Sequence, residues 1–138
     1  MKDIVFAGGL LLLLLLSAGP TAAQTWNQLA PTGGPPQFPG GTVVYDPDSN
    51  RAIHYGPCCA HTTEVWALAN ADGLGGTPEW INLVPSGAPG PPGRHAHAAA
   101  YDPIHNRMII FSGCLGGCFP VASDVWVLAN ADGFDQFG

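Results

Sequence analysis

The chain contains one phrase twice, VWALANADG at 65–73 and VWVLANADG at 125–133, with eight of nine positions identical. A match that holds a tryptophan and an Asn-Ala-Asp-Gly tail points to duplication of a structural unit, with a duplicated binding site as the rival reading. Aligning the two copies extends the match. Trp26, Leu29 and Pro31 pair with Trp80, Leu83 and Pro85, and the words VVYDP (43–47) and AAYDP (99–103) coincide. Asn50-Arg51 then pairs with Asn106-Arg107. The offset grows from 54 to 56 to 60, so two residues are inserted near 86–93 and four near 114–122. Both insertions fall in Gly/Pro-rich or Cys-rich stretches, where connections tolerate changes of length.

Each unit reads as four short strands. The first surrounds the WxxL word and the second runs into Tyr45 or Tyr101. Asp-Pro then turns the chain, because proline fixes φ near −65° and donates no ladder hydrogen bond. The third strand is 52–55 or 108–111, and the fourth is 65–68 or 125–128, closed by Asp-Gly. The continuously apolar MIIF at 108–111 predicts a sheet buried on both faces. Composition agrees with a turn-rich, all-β chain: 19 Gly and 14 Pro lie between apolar runs that make up 46% of the residues, and only 10% are charged. No helix is expected, because no polar–apolar helical pattern of three turns runs clear of Gly and Pro.

The first 23 residues form a separate element. Lys2 precedes an apolar run that ends in seven leucines at 10–16, followed by SAGPTAAQ. A positive start, a short apolar core and small residues before a polar one describe a secretory signal peptide, cut after Ala23. The run 4–16 is too short for the ~20 residues of a spanning helix. No cysteine follows it to carry a lipid. The expected division is therefore signal peptide 1–23, unit one 24–79 and unit two 80–138, with a secreted or periplasmic location. After cleavage the net charge remains −6, and Arg51, Arg94 and Arg107 are the remaining Lys/Arg residues. Scattered cations on an acidic chain argue against nucleic acid and against anionic membranes as partners.

The stretch RHAHAAAYDPIHNRMIIFSG (94–113) followed by DVWVLANADG (124–133) resembles secreted bacterial kelch-repeat proteins of the galactose-oxidase-like propeller group. The matching positions in unit two are Trp80, Leu83, Pro85, Arg94, His97, Tyr101, Asp102, Asn106, Arg107 and Trp126, and the likeness spans 26–133. It implies two four-stranded propeller blades with a period near fifty residues. Unit one departs from the pattern: Phe38 and Gly41 stand where unit two has Arg94 and His97, and the family's Gly-Gly is Gly56-Pro57 or Ser112-Gly113. Unit one therefore reads as a degenerate or terminal blade. Propellers close with about four to eight blades, so two units leave apolar faces that require further blades or self-association. The expectation is a piece of a longer protein or a shortened remnant, with an oligomer as the runner-up.

Few residues offer chemistry. Cys58, Cys59, Cys114 and Cys118 occupy the same loop of each unit. In an exported chain they read as disulfides, with Cys114–Cys118 preferred, and four thiolates on zinc are the alternative. His95 and His97 are two apart, and in a strand they would face one side. They form a weak metal candidate, since no third ligand is spaced to complete it, and His54 or His61 would have to supply one. Asp46 and Asp102 suggest a glycosidase pair, but Asp-Pro turns use the side chain as a backbone cap. The four tryptophans recur at equivalent positions and read as core, and one carboxylate per ANADG turn is too few for calcium. The expected function is a non-catalytic binding or scaffold module without a cofactor, presenting loops to a protein or glycan. The alternative is a fragment of a propeller oxidase or hydrolase whose catalytic residues lie on other blades. Intact-mass measurement on the exported protein should place its first residue at Gln24.

Overall fold

The computed structural model describes residues 24–34, 40–56, 64–85, 89–115 and 119–134. Residues 1–23, expected to be a signal peptide, lie outside these residues. Among those described the chain is all-β, with no helix long and apolar enough to cross a membrane.

The first sheet is an antiparallel meander of β1 (Thr42–Asp46), β2 (Arg51–Gly56), β3 (Glu64–Ala69) and β4 (Glu79–Leu83), in that order. β5 (Arg94–His95) leads into a second sheet built from β6 (Ala98–Asp102), β7 (Arg107–Phe111) and β9 (Val125–Ala129). β5 pairs instead with β8 (Cys114–Leu115), a two-residue strand in the connection between β7 and β9. The registers of the two sheets correspond. Val44 lies opposite Ile53 and Ile53 opposite Ala67 in the first. Ala100, Ile109 and Val127 form the same row in the second.

The WxxL word behaves differently from expectation. Residues 80–83 end β4, which pairs with β3 and so completes the first sheet rather than opening the second. Residues 24–31 form no strand, and Thr32 makes only an isolated parallel bridge to Glu79. The reason lies in the connections. The turn at 70–78 returns the chain antiparallel beside β3, which favours pairing of sequential strands. The Pro-rich stretch after Leu83 cannot donate ladder bonds at its prolines and carries the chain across to the next sheet. A repeat gives the period of a structure but not its phase.

The core is the seam between the sheets. One face of the first sheet contributes Val44, Ile53, Tyr55, Val65, Ala67 and Leu83, all buried. It meets Met108 and Ile110, with Ala99, Tyr101, Trp126 and Leu128 packed around them. These residues occupy alternate positions on each strand, as a pleat requires. The other face of the second sheet is open: Phe111, Val125 and Val127 are all more than half exposed. The expectation that MIIF is covered on both sides is therefore not met among the described residues. Ile53→Ala should lower the unfolding free energy by about 2–5 kcal/mol in a urea titration. Ile104→Ala, in an exposed turn, should change it by less than about 0.5 kcal/mol.

Candidate functional site

The seam has two different ends, and the repeated words build one of them. After β1 the chain turns through Asp46, whose carboxylate accepts from the Asp48 amide at 3.1 Å and from the Ser49 hydroxyl. Asn50 closes the turn at φ +52°, a left-handed conformation that asparagine tolerates better than most residues. Its side chain then reaches the ANADG turn. Asn50 Nδ2 donates to Asp72 Oδ1 at 2.8 Å, and the Asp72 amide donates back to Asn50 Oδ1 at 3.0 Å. The second sheet repeats the clasp, with Asn106 Nδ2 to Asp132 Oδ1 at 2.6 Å and the Asp132 amide to Asn106 Oδ1 at 3.1 Å. In each copy a tyrosine hydroxyl, Tyr45 or Tyr101, donates to the same asparagine oxygen at 3.0 Å. Gly73 and Gly133 end the clasps at φ +70° and +71°, where a Cβ would strike Leu29 and Leu83 respectively. The duplicated ANADG is thus a turn lock.

The seam joins the two sheets at this end through charge. Arg51 Nη1 donates to the Asp132 carbonyl, and its guanidinium lies 4.0 Å above the Phe134 ring. Burial first, and then the Asp46 carboxylate from the other sheet, push the Tyr101 phenol well above its ordinary range. Between the turns lies an open hollow of about 450 Å³ whose lining includes Asp46, Asp48, Asn106, Asp132 and Phe134. Asp102 caps the Ile104 amide at 3.1 Å and meets His105 Nδ1 at 2.7 Å. Each candidate glycosidase carboxylate is therefore occupied in its own turn.

The opposite end carries the long connections. Arg94 is fully buried and forms a two-pronged pair with Asp124 at 2.5 and 3.0 Å, while its Nη1 also donates to the Ser112 carbonyl at 2.9 Å. Asp124 accepts from Trp126 Nε1 as well, at 2.6 Å. These donors, Arg94 first, hold the Asp124 carboxyl far below the usual range. The pairing spans both ends of the 112–124 connection and ties it to β5. Unit one keeps part of the device, since Trp66 Nε1 donates to Glu64 at 2.9 Å.

His97 and His54 lie beside this tie. Thr42 Oγ1 shares a 2.6 Å hydrogen bond with His97 Nε2, and the ring of Tyr55 meets His97 edge-on at 5.1 Å. Ala96, between His95 and His97, has φ +52°, so the strand geometry that puts residues two apart on one side fails there. No group of three His, Cys, Asp or Glu among the described residues could hold a metal ion. Gly41, which stands where unit two has His97, leaves room for another imidazole: a Cβ there would strike His54 Nε2. The unit that lacks one histidine is filled by a histidine from the neighbouring strand.

Of the four cysteines only Cys114 is described, half-buried in β8 opposite His95. Cys58, Cys59 and Cys118, and with them the Cys114–Cys118 pairing, lie outside the described residues, as does His61. The reading of the sequence missed the Arg94–Asp124–Trp126 tie and the role of His54. A signal for the first was present, because an acid stands two residues before each tryptophan of the VW word. Its change from Glu64 to Asp124 left it outside the identical phrase. Comparison with known proteins adds no assignment: no family model, curated protein or solved structure matches the chain.

Burial lowers the pKa of both His54 and His97 from the ordinary 6.5; nearby Arg94 lowers that of His97 further, and Glu64 partly opposes the shift at His54. Neither Nδ1 has a hydrogen-bond partner among the described residues. The folded state thus holds both rings neutral, and the unfolded state takes up protons first as pH falls. Stability should be complete above pH 6.5 and decline below it, before the depressed carboxylates Asp72, Asp102 and Asp124 begin to protonate below 3.8. Urea midpoints followed from pH 8 to 4 should show that decline, and His97→Gln should flatten it.

Proposed function

We propose that the chain is a non-catalytic binding or scaffold module of kelch-type propeller architecture, exported from the cell. It presents the long connections at one end of its sheets to a protein or glycan partner. The observation that carries this reading is the difference between the two ends of the seam. At one end, short turns are closed by matching Asn–Asp clasps. At the other, β2 and β7 end and β3 and β9 begin, Arg94 ties down Asp124, and the sequences that join these strands differ most between the copies in length and composition. Recognition is commonly placed in such variable connections on a rigid scaffold. The groups with catalytic potential support the same reading through their structural duties: Asp46 and Asp102 cap turns, Asp124 holds Arg94, and His97 is engaged by Thr42 and Tyr55.

The test is to screen the purified protein against a glycan array and a displayed-peptide library. Phe119, 85% exposed in the β7–β9 connection, and Ile104, 86% exposed at the clasp end, serve as contrasting positions. Phe119→Ala should weaken binding to the recovered hit about tenfold or more, as loss of an aromatic anchor does. Ile104→Ala should leave it unchanged. Loss of binding through Ile104 alone, or turnover of a substrate by the protein, would refute the proposal.

A further inference from the structure

The two open faces of the molecule are equivalents of the two faces already packed at the seam. By the alignment of the repeats, the exposed face of the second sheet (Phe111, Ile109, Val125 and Val127) corresponds to Tyr55, Ile53, Val65 and Ala67. Those residues form the first sheet's half of the core. The outward face of the first sheet, with Val43 and Tyr45 at 57% and 46% exposure, corresponds to Ala99 and Tyr101. Those form the second sheet's half. Each open face thus matches one partner of an interface that this chain already makes.

The edges repeat the relationship. β4 pairs with β3 with Trp80 opposite Leu68 and Leu83 opposite Val65, and its Leu83 rests on the Gly133 turn of the next sheet. Residues 26–29 carry the same WxxL word, and Leu29 rests on Gly73 as Leu83 rests on Gly133. This segment therefore already occupies, against the first sheet, the place that β4 occupies against the second. Trp26 is fully exposed, and the outer edge of β9 has no strand partner among the described residues.

We infer that a second copy of this chain docks head to tail on the second sheet. Its first sheet covers Phe111, Val125 and Val127, and its residues 26–29 pair with β9. The register transferred from β3–β4 sets Trp26 opposite Leu128 and Leu29 opposite Val125. Polar contacts transfer as well. Arg51 reaches the Asp132 carbonyl at the seam, so Arg107 of one copy reaches the Asp72 carbonyl of the next. Asp46 lies beside Tyr101, so Asp102 meets Tyr45. The two halves of this contact are different surfaces, and such an interface closes into a ring when its rotation permits. Rings of four to eight sheets correspond to about two to four chains.

Light scattering and native mass spectrometry on the purified full chain, as its host processes it, test this directly. The expected mass is that of two to four copies, and a monomer at every concentration up to about 100 µM would overturn the inference. Val127→Arg spoils the open face of the second sheet and Tyr45→Arg that of the first. Both side chains are about half exposed, and circular dichroism checks that each variant keeps its sheets. Each alone should be monomeric. Mixed in equal amounts they should form a complex of two chains and nothing larger, because one intact face remains on each. A mixture that stays monomeric, or an assembly abolished by one variant and untouched by the other, refutes the head-to-tail contact.

Discussion

A β-sheet with apolar side chains on both faces has to be covered on both. Everything else in this molecule is arranged around that requirement. Alternation along each strand sends Ile53, Tyr55, Val65 and Ala67 to one side of the first sheet, and the second sheet meets them with Met108 and Ile110. At roughly 25 cal/mol for each Å² of apolar surface removed from water, such a face-to-face seam is the dominant favourable contribution available to a chain with few charges. The chain uses the same sheet twice, so it can cover one face of each copy with the other. The two remaining faces are the cost of that economy.

The polar residues serve to hold the seam in register. Asn50 with Asp72, and Asn106 with Asp132, satisfy backbone groups of two turns that would otherwise separate. Arg51 then links the first sheet to the second sheet's clasp. At the far end, Arg94 is buried without an unpaired charge because Asp124 supplies both oxygens and the Ser112 carbonyl accepts a further hydrogen bond. A buried guanidinium left without such partners would carry a large desolvation penalty. Asp46 and Asp102, which suggest chemistry in the sequence, cap turns, and His97 is engaged by Thr42 and Tyr55.

Much of the fold was legible from residue pattern. The YDP, NR and VW words mark β1–β3 and β6, β7 and β9 to within about two residues, because alternation and turn chemistry are local properties. The assignment of the WxxL strand was not legible. Residues 80–83 have the same sequence character whether they open one sheet or close another, and only the tight return from β3 decides it. The local geometry of the histidine pair was not legible for a related reason. A spacing of two implies a shared face only in regular strand, and Ala96 in the left-handed region breaks it. The substitution of His54 for the imbalance at Gly41 could not be read at all, since it joins residues on adjacent strands.

By itself the sequence determined most of the elements, with the first WxxL word and the two-residue strands β5 and β8 as the exceptions: their type, their period, the residues at the repeated turns and the absence of any helical pattern. These follow from backbone preferences that act over a few residues. Tertiary structure decided which strands share a sheet, which face of each sheet is covered and which polar groups meet across the seam. Those outcomes depend on contacts between residues fifty or eighty positions apart, and no local preference encodes them. Arg51 and Asp132 illustrate the division. Each is read correctly as part of a turn or strand, yet their meeting exists only once two sheets are stacked.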